Sequence, residues 1–327
     1  MKQRHLLYLA AVLVVAACLP LVFQGYGNRL ANTALISAIA VIGLNFVFGY
    51  AGLISLAHAA FVGVAAYVVA ILTTVHGWNP WLAALVAVAA SCLAAFVTGC
   101  ILLRLKGHYL ALATLGLNVS FTIVVSNWIA LTGGTNGISG IPPLRLAGIS
   151  LDSEPSFYWF CLAIMTLLAL LAARIRQSHA GRSLMAVRDD ELASAMTGLP
   201  VTRVKVAAFT LGAAYAAVAG CLFAFHIRFV SPDDFNFSHS IVYLAMLVAG
   251  GEGSIIGAIL GAVGVTLLPE LLRGIGNAYL LVFGVLVLLI LIVLPRGLIS
   301  LVDPRTYRWL RRRRPTPAGA LAQGGRR

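Results

Sequence analysis

Long apolar runs separated by short polar connections dominate the chain. The runs lie near residues 6–23, 30–49, 53–72, 81–103, 109–131, 157–173, 206–226, 240–270 and 278–294. Most of them reach the length of about 18 residues that crosses a bilayer core of roughly 30 Å. A segment inside lipid must satisfy its own backbone hydrogen bonds, so each run is predicted to be helical.

One of these runs is interrupted. Gly250-Gly251-Glu252-Gly253-Ser254 divides 240–270 into a short first piece and a longer second piece. The pattern therefore predicts an all-α, polytopic transmembrane helical bundle with about nine or ten crossings over residues 1–303. Residues 304–327 form a basic tail that is expected to be disordered. The first run resembles a lipoprotein signal up to Cys18, but its apolar residues continue beyond that point and a retained helix is expected.

Composition supports the membrane class. The chain is 61% hydrophobic and 10% charged, whereas soluble domains contain about 25% charged residues. A net charge of +13 would suggest nucleic acid as the partner of a soluble protein. In a membrane protein the location of the charge matters more, so lipid is the expected surrounding and no nucleic acid is expected.

Lysine and arginine residues predict the orientation. They concentrate in 104–108, in 174–205 and in the tail, whereas 73–80 has none and 132–156 has Arg145 beside two carboxylates. The positive-inside rule then places both termini and 174–205 in the cytoplasm.

The polar residues exclude several functions. Of the ten carboxylates, Glu252 and Glu270 alone lie in or beside a span, which disfavours a proton carrier. No HExxH, GxSxG or CxxC motif occurs, so neither an enzyme nor a metal site is expected. Sodium coupling remains open, because backbone carbonyls can hold that ion. The lysines Lys2, Lys106 and Lys205 stand outside any Gly-Lys-Ser/Thr, so a partner must hydrolyse ATP if ATP is used.

The densest mixed-charge stretch lies in the middle of the chain, in residues 174–205, here called the coupling segment. Within it, Gly181 and Gly198-Leu199-Pro200 flank residues Arg182–Ala195, and this punctuation predicts one short surface helix over Arg182–Ala195. Leu184, Val187, Leu192 and Ala195 form its apolar stripe. The segment is either a solvated loop or a helix that docks on another subunit.

Residues 181–209 (GRSLMAVRDDELASAMTGLPVTRVKVAAF) resemble the coupling loop of the LivM-type permease subunits of branched-chain amino acid ABC transporters. Four more stretches resemble the same family in the same order: 51–61, 104–116, 131–142 and 250–254. Departures from the family pattern are Ala57, Asn136, Ala195 and Glu252. Glu252 stands where the family is generally apolar, and it is the departure that could alter substrate handling.

The resemblance implies a permease subunit of an ATP-driven importer that moves branched-chain or similar small apolar amino acids across the bacterial inner membrane. Its partners would be a homologous LivH-like permease, two cytoplasmic ATPase subunits and a periplasmic substrate-binding protein. This chain would be non-catalytic and would bind no cofactor, because ATP and Mg²⁺ belong to the ATPases. The residues implied in ATPase coupling are Gly181, Arg182, Leu184, Val187, Arg188, Asp189, Asp190, Glu191 and Gly198. The alternative is a self-sufficient secondary transporter or channel for a small neutral solute such as urea or a short amide.

Two groups of polar residues are candidates for the substrate pathway. Thr114, Asn118, Thr122 and Ser126 are each four residues apart and share one slowly winding helix face. They either line a pore or join helices by hydrogen bonds. Asn45, Ser55 and His58 lie where one span stops and another begins, a frequent position for transporter sites. His58 alternatively bonds a neighbouring backbone group.

Glycine rows predict close helix crossings. Gly253, Gly257 and Gly261 form one row, and Gly212, Ala216 and Gly220 form another. Small residues at this spacing let helices approach each other, so packing is the favoured interpretation of both rows.

Overall fold

The computed structural model describes residues 25–105, 107–146, 149–271 and Gly284. The described part is an all-α bundle with two very short antiparallel strand pairs. The runs at 6–23 and 278–294 and the tail 304–327 lie outside the described residues, so the number of nine or ten crossings and the division at residue 303 remain predictions.

The first half of the bundle contains five helices: α1 Tyr26–Leu44, α2 His58–Thr74, α3 Pro80–Leu102, α4 His108–Asn127 and the short α5 Ile129–Thr132. A π-helix over Asn45–Tyr50 extends α1 without a break. The second half contains six: α6 Glu154–Gln177, α7 His179–Asp189, α8 Glu191–Met196, α9 Val201–Ile227, α10 Phe237–Gly250 and α11 Ile255–Leu271.

Four short strands form two antiparallel pairs. Strand β1 (Ile138–Ser139) pairs antiparallel with β4 (Phe229–Val230), and β2 (Arg145–Leu146) pairs antiparallel with β3 (Ile149–Ser150). Turns of 3₁₀-helix precede β1 at Gly134–Asn136 and follow β4 at Pro232–Phe235. These elements gather at one end of the bundle, here called the loop end. The coupling segment marks the opposite end, here called the coupling end.

Five of the described helices are long and apolar enough to cross a membrane: Tyr26–Tyr50 (α1 with its π-helix), α3, α4, α6 and α9. The shorter apolar helices are α2, α10 and α11. Helices α1 and α9 are mostly buried and form the centre, whereas α3 and α4 are largely exposed. The chain is therefore a polytopic helical membrane protein.

The predicted break in the run 240–270 is confirmed, because α10 ends at Gly250 and α11 begins at Ile255. The run near 53–72 differs from its prediction. Residues 51–57 are not helical, and α2 starts at His58. Gly52 has a φ of +68°, a conformation that favours glycine and lets the chain reverse after the π-helix.

Helix α1 with α2 and helix α9 with α10 repeat one arrangement in opposite directions. In each pair a long helix is followed by a stretch without α-helix, 51–57 or 228–236, and then by a shorter helix. Helix α1 runs from the loop end to the coupling end, and α9 runs back. The two shorter helices begin side by side, since the Ala59 amide donates to Ser240 Oγ at 2.9 Å.

The glycine rows pack as predicted. A Cβ at Gly212 would lie 2.5 Å from Val47 Cγ2 and 2.9 Å from Gly43 O, and a Cβ at Gly220 would collide with the Val62 backbone. Gly257 and Gly261 meet the backbone of α10 in the same way. Gly253 differs, because it lies in the turn between α10 and α11 with a φ of +74°.

Candidate coupling and translocation sites

The coupling segment folds as two helices, and the prediction of one helix over Arg182–Ala195 is wrong. Ser178 caps α7 by accepting from the Gly181 amide. Asp190 has an extended backbone, and its Oδ1 accepts from the Leu192 and Ala193 amides at 2.9 Å each. An aspartate at this position starts a new helix, because it satisfies amides that have no intrahelical partner.

Two glycines of the segment have different structural roles. Gly181 lies so close to the end of α6 that a Cβ would collide with the Ile175 and Arg176 carbonyls, so only glycine permits the sharp corner between α6 and α7. Gly198 has a φ of +84° and lies in the short connection between α8 and α9.

The predicted apolar stripe divides between two surfaces. Leu184 and Val187 are 3% and 4% exposed and pack against this chain's own interior, because α7 lies on α9 and on the π-helix. They therefore do not lie on a free docking surface, and that part of the prediction is wrong. Leu192 is 69% exposed and Met196 is 81% exposed. These two residues lie one turn apart on α8 and form the outward apolar surface of the segment.

The resemblance implies a role in ATPase coupling for the charged residues of the segment. In the structure most of them bond within the chain. Asp190 is the helix cap, and the Glu191 carboxylate lies 2.7 Å from Nζ of the nearly buried Lys205. Arg182 donates to the Gln177 carbonyl at 2.9 Å. Asp189 is exposed and remains available at the surface.

Arg188 joins the segment to two other elements. Its Nη1 donates to the Gly49 carbonyl at the end of the π-helix, and its Nη2 lies 2.7 Å from Glu252 Oε1 in the turn between α10 and α11. The Gly253 amide in the same turn donates to Asn45 Oδ1 at 2.8 Å. We call the residues Asn45, Gly49, Arg188, Glu252 and Gly253 the inner junction. Glu252 thus lies at the coupling end, away from the middle of the bundle.

A second polar cluster lies at middle depth, where α2 and α10 begin. Ser240 Oγ accepts from the Ala59 amide and from Asn118 Nδ2 at 3.0 Å, and both polar side chains are buried. Thr114 Oγ1 accepts from the Leu56 amide at 3.0 Å. We call Leu56, Ala59, Thr114, Asn118 and Ser240 the central node. Asn118 Oδ1 is buried and has no hydrogen-bond partner among the described residues.

The remaining pathway candidates lie near these two clusters. His58 is buried, with Nε2 2.7 Å from the Ala40 carbonyl, and Ser55 Oγ accepts from the Ala57 amide at 3.4 Å. Thr122 Oγ1 donates to the Asn118 carbonyl of its own helix. These bonds are of the kind expected if the polar row and His58 join helices and bond backbone groups. A role in the substrate pathway stays a prediction for Asn45, Ser55, His58, Thr114, Asn118, Thr122 and Ser126.

Sequence reasoning missed three residues of these sites: Ser240, Lys205 and Met196. Met196 had a usable signal, because it follows Leu192 by four residues on a short helix. Ser240 and Lys205 gain their roles from residues far away in sequence, which a single sequence does not reveal.

A cavity of about 200 Å³ lies beside the inner junction. The non-helical stretch 51–54 lines one side, and α7 with the start of α8 lines the other. The lining includes the charged groups of Arg188, Asp189, Asp190, Glu191 and Lys205.

A polytopic bundle with two oppositely directed short helices, a polar node where they begin and a projecting helical segment at one end defines a membrane permease. The sequence model of the family described as "Branched-chain amino acid transport system / permease component" matches residues 28–294. The chain belongs to this family.

Curated relatives agree with this family. The chain is 35% identical to the high-affinity branched-chain amino acid transport system permease protein LivM of Salmonella typhimurium, over 93% of this chain and 76% of the relative. It is 34% identical to LivM of Escherichia coli over the same shares. LivH of Salmonella typhimurium is 27% identical over 80% of this chain and 91% of the relative. No solved structure matches the chain.

Proposed function

We propose that this chain is one of two homologous permease subunits of an ATP-driven importer for branched-chain or similar small apolar amino acids. Two cytoplasmic ATPase subunits and a periplasmic substrate-binding protein complete the complex. The observation that carries the proposal is the family match over residues 28–294 together with a helical segment that projects at one end of the bundle and exposes Leu192 and Met196.

The relatives named LivH support a paired permease. Proteins named LivM and LivH carry the same description, a permease protein of the high-affinity branched-chain amino acid transport system, and this chain is similar to both. Two homologous permeases therefore suit this kind of system. The largely exposed helices α3 and α4 leave surface for lipid and for the second permease.

The distribution of charge supports an orientation with the coupling end in the cytoplasm. Arg174, Arg176, Arg182, Arg203 and Lys205 lie at that end. The described residues of the loop end include five carboxylates and only three arginines: Asp152, Glu154, Asp233, Asp234 and Glu270, with Arg29, Arg145 and Arg228. Positive residues favour the cytoplasmic side, so the ATPase subunits meet the coupling segment there and the binding protein meets the loop end.

The central node supports a neutral, zwitterionic cargo. Its polar groups are hydroxyls and amides, and the positive ends of two helix dipoles come together there. In transporters, such helix starts hold the carboxylate of an amino acid near the middle of the membrane. We therefore place the substrate pathway along α4 and the beginnings of α2 and α10.

Uptake by the whole complex tests the cargo. Co-expressed with its candidate permease, ATPase and binding-protein partners, the chain should support uptake of labelled leucine into membrane vesicles. Unlabelled isoleucine and valine should compete with leucine, and urea and acetamide should not. A thermal-shift screen of the binding protein should respond to the same three amino acids. Competition by urea or acetamide, with no response of the binding protein to leucine, isoleucine or valine, would overturn the cargo assignment.

A further inference from the structure

Arg188 connects the coupling segment to two breaks in the helical bundle at once. One guanidinium nitrogen bonds the Gly49 carbonyl in the π-helix, and the other pairs with Glu252 in the turn between α10 and α11. The methylene stem passes over Gly52, where a Cβ would lie 2.9 Å from Arg188 Cγ. A planar guanidinium with donors in fixed directions suits such a two-point bond, which the single ammonium of lysine does not reproduce.

The two breaks are also bonded to each other. Asn45 Oδ1 accepts from the Gly253 amide at 2.8 Å. The Asn45 side chain fills the space over Gly49, where a Cβ would collide with its oxygen. The π-helix end, the α10–α11 turn and the coupling segment therefore meet in one hydrogen-bonded unit. Isolated π-turns in helices occur frequently at functional sites.

A rigid element leads from this unit to the central node. Helix α10 ends at Gly250, beside the inner junction, and Ser240 lies ten residues earlier. At 1.5 Å per residue this is a distance of about 15 Å along the helix. A displacement of the turn at Glu252 consequently moves the residue that bonds both Asn118 and the Ala59 amide.

We propose that the Arg188–Glu252 pair is the rigid link that transmits movement of the coupling segment to α10, and so positions the central node during transport. The inference rests on the proposed function and adds to it a positioning role for Glu252. The cavity of about 200 Å³ beside the pair leaves the segment room to move. Two other charged residues of the segment bond elsewhere: Arg182 bonds to Gln177 at the end of α6, and Glu191 bonds to Lys205 at the start of α9.

Partial exposure of the pair makes its role testable. The side chains of Arg188 and Glu252 are 33% and 44% exposed, and ion pairs with this much solvent contribute little to stability. Charge reversal at either residue should therefore leave the chain folded and the ATPase bound. An effect on transport then reports the link, since assembly is unchanged.

Charge reversal in the complete complex is the first experiment. Arg188→Glu and Glu252→Arg should each reduce ATP-driven leucine uptake by at least about fivefold, the lower range of coupling between sites, with the amount of co-purified ATPase unchanged. The double variant Arg188→Glu/Glu252→Arg should transport better than either single variant but below the unaltered complex, because it restores the charge pair and not the bond to the Gly49 carbonyl. Arg203→Glu is the matched control, because it makes the same change of charge at an exposed position of the same end, and it should retain uptake.

The outcomes separate this inference from the proposed function. If the unaltered complex shows no ATP-driven uptake, the proposed function fails. If it transports and both single variants transport equally well, or the double variant is no better than the singles, the rigid link is wrong. Loss of the ATPase from the single variants would show a docking role instead and would also overturn it.

A cleavable cross-link gives an independent test. Arg188→Cys/Glu252→Cys, in a background without the native cysteines, should transport poorly when reduced. Bridging the two thiols with a short bis-methanethiosulfonate linker should raise uptake, and reductant should lower it again. If bridging instead abolishes the remaining uptake, the pair must separate during transport and does not act as a rigid link.

Discussion

At the residue scale, one buried amide has an observed packing contact and a place in the proposed substrate pathway. Asn118 is fully buried, its Nδ2 donates to Ser240 Oγ at 3.0 Å, and its Oδ1 has no partner among the described residues. A buried polar atom without a partner costs free energy unless water or a ligand satisfies it. Asn118 therefore joins α4 to α10, and its unpartnered oxygen fits the substrate pathway that we propose along α4.

A double-mutant cycle on this pair separates the two roles. Asn118→Leu should lower the stability of the purified complex by about 1–3 kcal/mol, because Ser240 loses one of its donors. Adding Ser240→Ala should cost less than the sum of the single changes, with a coupling energy of about 0.6–2 kcal/mol for an interhelical hydrogen bond in a membrane. Thermal unfolding in detergent measures these values.

Transport by the same variants tells packing from cargo contact. If Asn118 contacts cargo, leucine uptake should fall further in Asn118→Leu than in Ser240→Ala at equal stability. Uptake that follows stability alone in both variants would make Asn118 a packing residue.

At the element scale, the central helices touch through glycine. The largest such constraint on α9 is Gly220, where a Cβ would collide with the Val62 carbonyl of α2. The three nearest atoms are all backbone atoms of Val62, so the helices can accommodate a methyl group only by moving apart.

Two alanine substitutions of equal size test this crossing. Gly220→Ala should destabilise the complex by about 1–3 kcal/mol through overpacking. Gly116→Ala on α4 is the matched control, because no atom lies within 4 Å of the added Cβ. It should be neutral or stabilising by up to about 1 kcal/mol, since alanine is the better helix former. Equal losses of thermal stability in both variants would contradict the crossing.

Sequence patterns predicted the helices more readily than the contacts between them. Apolar runs predicted the helices, and Gly250–Ser254 predicted the break between α10 and α11. Helix periodicity did not predict the non-helical stretch 51–57, because its apolar residues look like the continuation of a span. The break at Asp190 inside the coupling segment was not predicted. Aspartate can cap a new helix, and the one-helix prediction gave more weight to the helix-forming residues around it. The partners of Arg188, Ser240 and Lys205 are distant in sequence, so only the fold brings them together.

At the scale of the whole molecule, the coupling segment has an inner and an outer surface. Leu184 and Val187 bury the inner surface against this chain, and Leu192 and Met196 expose the outer one. Fully burying one such apolar side chain contributes about 1.5–3 kcal/mol. The outer pair is therefore the contact that we propose for the ATPase.

Substitutions of the outer pair test that contact. Leu192→Asp and Met196→Asp should each weaken ATPase binding by about 2–5 kcal/mol, because an unpaired charge enters the interface. Thr202→Asp, an exposed position at the same end, is the control and should leave binding unchanged. Co-purification of the ATPase with the tagged permease measures the effect. Undiminished recovery with both outer variants would contradict docking on α8.

The central claim is that this chain transports only as part of an ATP-driven complex, and one measurement tests it most directly. Proteoliposomes containing this chain, its partner permease and the ATPases, supplied with the loaded binding protein, should accumulate labelled leucine when ATP reaches the ATPases. Accumulation should stop when the ATPases carry a hydrolysis-dead substitution. Uptake that persists with the dead ATPases, or with this chain alone, would contradict the account and identify a self-sufficient carrier or channel.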